Sequence, residues 1–237
     1  MRNQAYRILR EEIVECRLTP GALLSENELA RSLGISRTPV REALRTLADE
    51  RLVVVVPQQG TTVAPISARE VLEAQLVREL LERASLAVGS RFVQPDAYTV
   101  LNPLLAEQDA LALAGRTSEY MKADQEFHIR LTEFTGYESL GRLTANARAH
   151  LDRLRALSLA EPELLVALTD EHRVIVDAMV AADLPTADRM LTAHLRRVLG
   201  VLPAMQAQHP DYFTDEPRAA GHMPLALTFE RNAMAVS

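Results

Sequence analysis

Apolar positions recur with helical spacing at the start of the chain, change to a short β-branched run near residue 52, and return to helical spacing after residue 67. Over residues 4–17, Ile8, Leu9, Ile13 and Val14 outline an amphipathic helix that Pro20-Gly21 ends. Ser25-Glu26-Asn27-Glu28 is an S-x-x-E capping box opening a short helix that Gly34 closes. Ser36 is placed to cap a second helix, from about Arg37 to Glu50, with Pro39 in the first turn, where its missing N–H costs little. Leu52-Val53-Val54-Val55-Val56 is too short and too β-branched for a helix. Gln58-Gln59-Gly60 supplies a turn, and Thr61-Thr62-Val63-Ala64 returns as a second strand. Helix, helix–turn–helix, then hairpin is a winged helix–turn–helix over residues 1–66.

From Ser67, which opens a second capping box with Glu70, helical periodicity runs almost to Leu202. Gly, Pro or cap residues interrupt it near 89–95, 115–118, 136–139, 161–162 and 183–185. The spacing predicts about six helices of roughly 15–22 residues, an all-α bundle over 67–205. Residues 203–237 hold four prolines and no sustained period, so 206–237 reads as an extended, partly disordered tail. The expected fold is mainly α, with one small β-hairpin wing.

Composition adds limits. At 48% hydrophobic the chain can bury a core. No apolar run approaches the roughly 20 residues that span a membrane, and the first sixteen residues carry acids where a signal peptide is apolar. A cytoplasmic protein without a membrane partner is expected. The single cysteine, Cys16, forms no internal disulfide and is read as a buried structural thiol. Net charge is −6, which alone argues against nucleic acid. Residues 1–66, however, carry nine arginines against eight acids, so local placement decides.

Arg37, Arg41 and Arg45 step by four and share one face of the second helix of the turn motif. Val40, Ala43, Leu44 and Leu47 occupy the other. Such a helix fits a major groove, where arginine reaches guanine or phosphate. Ser36 and Thr38 add hydroxyls at a helix N-terminus, where phosphates bind. On an isolated helix the same pattern would equally be a solvated face with Glu42 nearby; the winged context favours DNA.

Polar residues also sit inside apolar stripes. Asp124 and His128, at i and i+4, lie among Tyr120, Phe127, Leu131 and Phe134. His172 lies among Leu165, Leu168, Ile175 and Met179, and His194 among Ala187, Leu191, Val198 and Val201. The turn at 183–185 makes the last two helices a hairpin, with His172 and His194 each roughly 15 Å from it and therefore level. One such histidine is ordinarily a hydrogen-bonded core residue. A carboxylate with three imidazoles suits a divalent transition metal, Zn²⁺ foremost, with Ni²⁺, Mn²⁺ or Fe²⁺ as alternatives to it rather than Ca²⁺ or Mg²⁺.

The stretch from Pro20-Gly21 through Leu24-Ser25-Glu26 and on through ELARSLGISRTPVREALRTLADERLVVVVPQQGTTVA resembles the DNA-binding domain of the GntR family of bacterial transcription regulators. The resemblance implies DNA contacts at Asn27, Ser36, Arg37, Thr38 and Arg41, and at Gln59 and Gly60 on the wing tip. Asn27 and Gln59 stand where some members carry basic residues. It also implies a homodimer on a pseudo-palindromic operator. VRELLERASLA, ADQEFHIRLTEFTG, EHRVIVDAMVAAD and MLTAHLRRVL resemble the FCD effector domain of the FadR subgroup, over about 70–205. Its metal-binding members use an Asp-x-x-x-His pair and two further histidines, matching Asp124, His128, His172 and His194. The domain's usual ligands are small organic acids, and Arg78 stands where an arginine often faces the pocket; Asn146 is a further polar candidate.

The expected function is a one-component regulator, a repressor, whose operator affinity follows a small carboxylic acid. The rival is a metalloenzyme using an open metal position to activate water. Against it, no glutamate stands as in H-E-x-x-H.

Overall fold

The structure, a computed structural model, describes residues 2–56, 60–89, 96–159 and 161–214. The N-terminal domain is built from α1 (Arg2–Val14), β1 (Leu23–Leu24), α2 (Glu26–Leu33), α3 (Arg37–Asp49), β2 (Val53–Val56) and β3 (Gly60–Val63). Local signals set these bounds. The Ser25 side chain accepts from the Glu28 N–H, and Gly34 ends α2 in the left-handed region that a Cβ disfavours. Ser36 precedes α3 with extended backbone but makes no side-chain cap bond, contrary to expectation, leaving its exposed hydroxyl outside the helix's own bonding. Leu9, Ile13, Val40, Leu44, Leu47, Leu52, Val53 and Val63 close the core.

The sheet has one strand more than the hairpin expected. Leu23 and Leu24 pair antiparallel with Thr62 and Thr61, giving the order β1-β3-β2. A two-residue strand is too short to show a period, so its partner strand defines it.

The second domain comprises α4 (Ala68–Gly89), α5 (Asp96–Leu113), α6 (Thr117–Glu133), α7 (Glu138–Ala147), α8 (Ala149–Ser158), α9 (Pro162–Val180) and α10 (Leu184–Gln208). α5 packs on α6 and α9, α9 on α10, and α4 on α6, α8 and α10. Leu86, Leu101, Leu105, Phe127, Leu131, Ile175 and Leu191 form its largest apolar cluster. Two expectations are corrected. The single helix expected over 139–160 is divided at Arg148 into α7 and α8. The tail does not begin at 206: α10 continues to Gln208, a 3-10 turn spans Pro210–Tyr212, and Phe213 is buried. There Ile66 donates its N–H to the Tyr212 carbonyl (2.7 Å) and accepts from Thr214 (3.1 Å), so this segment docks on the link between the domains. The remainder of the expected tail lies outside the described residues.

The domains touch through α8 and α6. Ala149 joins the N-terminal core, and His150 Nε2 meets the Glu50 carbonyl at 3.1 Å. Arg153 donates to the Ala64 carbonyl. Ser118 donates to Glu15 at 2.7 Å, and Lys122 pairs with Glu11. Among the described residues no helix is long and apolar enough to cross a membrane.

Candidate functional site

Two sites emerge, one in each domain. On the N-terminal domain, Asn27, Ser36, Arg37, Thr38, Arg41 and Arg45 are all exposed, and the opposite side of α3 is buried through Val40, Ala43, Leu44 and Leu47. Glu26, in the first turn of α2, gathers two of the arginines. Arg41 donates to it through Nε (3.0 Å) and Nη2 (2.8 Å), and Arg37 through Nη2 (3.4 Å). These are solvated pairs of little stability value, but they hold the guanidinium groups side by side. Gly60, exposed at the start of β3, has φ +108°, a conformation that favours glycine. Gln59 lies outside the described residues.

The second site is buried where α4, α6, α8, α9 and α10 meet. Asp124, His128 and His172 have no measurable exposure, and His194 has 6%. One ligand atom from each lies within 4.8 Å of the others. His172 Nε2 and His194 Nε2 are 3.0 Å apart, and Asp124 Oδ1 is 3.7 Å from His172 Nε2 and 3.8 Å from His128 Nε2.

The outer nitrogens fix which lone pairs face inward. His128 Nδ1 donates to Glu82 Oε2 (2.7 Å), His172 Nδ1 to Gln108 Oε1 (2.7 Å) and His194 Nδ1 to Glu171 Oε2 (2.9 Å). Gln108 is itself oriented, donating Nε2–H to the Ala123 carbonyl. Each ring therefore carries its proton outside and turns an Nε2 lone pair inward. Burial drives all three imidazoles down, His194 to about 3, so they are neutral. Asp124 Oδ1 and His128 Nε2 have no hydrogen-bond partner. Four converging acceptors without a proton among them repel one another. A tetrahedral zinc site places its nitrogen and oxygen donors about 3.3 Å apart; here three pairs lie at 3.0, 3.7 and 3.8 Å and all four donors within 4.8 Å, a set that a small inward shift would close around an ion. Donor type, tautomers and spacing thus fit a divalent transition metal.

The structure adds partners that the sequence reading missed. Asp124 Oδ2 accepts from Arg155 Nη1 (2.6 Å) on α8 and from Arg148 Nη2 (3.0 Å) at the α7–α8 junction, both buried. Burial would raise this carboxyl; its neighbours, Arg155 foremost and then His128 and Arg148, overcome it and hold it well below the usual range. Asp152, between them, also pairs with Arg148 (3.2 Å). Arg148, Asp152 and Arg155 stand at i, i+4 and i+7, a polar stripe that was readable in the sequence. Gln108 carried no such signal.

Arg78 is buried, with its Nε on Glu82 at 2.6 Å and its Nη2 without a partner. Burial and neighbouring Arg148 pull it down to about 10, still protonated at neutral pH. Beside it opens a cavity of about 120 Å³ that Arg78, Arg155 and His194 line at one end. Asn146 falls on α7, but its side chain lies outside those described. Cys16 is half-buried, its Sγ 3.7 Å from the Arg153 carbonyl.

A winged helix–turn–helix with an arginine-bearing recognition helix, fused to an all-helical domain with a buried ligand cluster, defines the class of two-domain DNA-binding regulators. The chain belongs to the GntR family. Residues 1–63 match the family described as bacterial regulatory proteins, gntR family, and residues 66–197 match the FCD domain. It is 36% identical over 215 residues to an HTH-type transcriptional regulator in an unstable DNA locus of Streptomyces ambofaciens, covering 91% of this chain and 90% of that one. It is 29% identical over 216 residues to the HTH-type transcriptional repressor RspR of Escherichia coli, covering 90% and 93%. Among solved structures, E. coli McbR/YncC matches with a TM-score of 0.74 at 23% identity, over 86% of this chain and 97% of that one, a likeness of fold. The chain is thus a transcription regulator that binds DNA through its N-terminal domain.

Proposed function

We propose that this regulator is a cytoplasmic repressor whose operator affinity is set by a small carboxylic acid bound beside a metal ion. Asp124, His128, His172 and His194 would hold the metal, with Zn²⁺ the ion their three imidazoles and one carboxylate suit best and Ni²⁺, Mn²⁺ or Fe²⁺ the alternatives. The convergence of four unprotonated acceptors carries this reading. The metal, when bound, supplies a positive centre that a carboxylate oxygen can ligate.

Charge supports an anionic ligand. Without metal, the buried cations Arg78, Arg148 and Arg155 are matched by the carboxylates Glu82, Asp124 and Asp152. A divalent ion leaves this interior with excess positive charge, and Arg78 Nη2 offers a free donor for the acid. The relatives are named as transcription regulators, and a sensory site fits that company better than a catalytic one.

On the DNA side, Arg37, Arg41 and Arg45 would enter the major groove, with Ser36 and Thr38 on phosphate and Asn27, Gln59 and Gly60 as flanking contacts. A homodimer would present two such faces. The outer side of α4 supports it: Leu72, Val77, Leu80 and Val88 are exposed, whereas Arg78, Glu79, Glu82 and Arg83 of the same helix are buried. The test is selection of binding sites from a random-sequence DNA pool, followed by anisotropy on the selected site. A two-fold site bound tightly with metal present and released by a carboxylic acid is expected. Enrichment of no sequence would overturn the reading.

A further inference from the structure

The cavity beside the ligand cluster has an uneven wall. One end holds Arg78, Arg155 and His194, all buried. Most of the rest is apolar: Leu159, Leu164 and Leu168 from the α8–α9 corner, and Leu195, Val198 and Val201 from α10. The hydroxyl on that side, Ser158 Oγ, is already committed to the Arg155 carbonyl at 3.3 Å. Arg197, at the rim, is exposed and pairs with Glu171. Among the described residues, the acceptor side of Ser158 Oγ is the one polar partner the α8–α9 corner offers inside the cavity, so a ligand body carrying several hydroxyls would lose more water contacts than this wall returns. The space, about 120 Å³, is that of roughly five or six carbons.

We propose that the cavity takes a carboxylate with an apolar body of about six carbons, aliphatic or aromatic, in preference to polyhydroxylated acids. The acid head meets the unpartnered Arg78 Nη2, and Leu168 and Val198 set specificity by refusing hydroxyls. This rests on the acid-sensing reading above and narrows it to a ligand class.

Hexanoate and gluconate separate the possibilities, since both are six-carbon carboxylates and they differ in their hydroxyls. Acetate reports the head alone. Calorimetry on the full chain with zinc present should show hexanoate binding about a hundredfold or more tighter than gluconate, with acetate weaker than hexanoate. Val198→Thr, which keeps side-chain volume, should narrow the hexanoate-to-gluconate ratio about tenfold or more. Arg78→Met should weaken both acids together. Gluconate binding as tightly as hexanoate would overturn the ligand class while leaving acid sensing standing. Binding of zinc with no response to any of the three acids would overturn both.

Discussion

Arg153 and Arg155, two residues apart on α8, serve opposite faces of that helix: Arg155 donates to the Asp124 carboxylate at 2.6 Å, and Arg153 donates to the backbone carbonyl of Ala64. Two helical steps turn about 200°, so one helix necessarily presents the pair to different neighbours. Ala64 directly follows β3, the strand that carries the wing. α8 therefore lies between the ligand cluster and the DNA-binding domain, and a shift of Arg155 with Asp124 moves Arg153 with it.

Arg153→Met should leave acid affinity within about twofold and shrink the acid's effect on operator affinity. Stability should fall by about 1–3 kcal/mol, because the Ala64 carbonyl loses a charged donor. Anisotropy with and without acid reads the coupling. An undiminished effect of acid would remove α8 from the path.

Asp124→Ala takes away a metal donor and one of the two carboxylates that balance buried Arg148 and Arg155, leaving Asp152 alone between them. A loss of about 3–5 kcal/mol is expected, lowering Tm by roughly 6–20 °C, along with loss of zinc binding. His194→Ala separates the two effects, since it deletes a donor without taking a carboxylate from an arginine. Undiminished zinc affinity in His194→Ala would exclude that residue from the site.

Arg41→Ala should leave Tm nearly unchanged, because the Arg41–Glu26 pair is solvated. Operator binding should weaken by about 1–3 kcal/mol with relaxed specificity if Arg41 reads a base. A uniform loss across sequences, with a salt slope smaller by about 1, would assign Arg41 to phosphate instead. Full retention of specific binding would count against the recognition face.

Burial raises the Cys16 thiol above its ordinary range, outweighing the opposing influence of Arg153. Thiolate is the reactive form, so less of it exists at pH 7–8 than in free cysteine. Alkylation should be slower there than for a free thiol, and its rise with pH should set in at higher pH than for a free thiol. Labelling at pH 7.5 at the rate of a free thiol would mean that α1 does not rest on α8.

The DNA-binding domain was legible because its signals are local: the Ser25 cap, the Gly34 stop and the valine run each act within a few residues. The ligand cluster was legible for another reason. Polar residues inside apolar stripes can only point inward, and the hairpin at 183–185 sets His172 and His194 level. Arg148, Asp152 and Arg155 left a legible stripe that was passed over because charged residues default to the surface. α4 inverts that default, burying Arg78, Glu79, Glu82 and Arg83 while exposing Leu72 and Leu80. Periodicity defines two faces of a helix, and only the neighbours decide which one is core. α10 likewise passes through Pro203, where the sequence placed its end; the contact of Phe213 and Tyr212 with the Ile66 link is long-range and left no local mark.

The central claim is that Asp124, His128, His172 and His194 hold a metal on which acid sensing depends. A thermal-shift series with a panel of small carboxylic acids, with and without chelator, tests it most directly. Chelation should lower Tm and abolish the shift given by the binding acid, which at a hundredfold over its Kd amounts to about 2.7 kcal/mol. A Tm and an acid response both unchanged by complete metal removal would contradict the claim.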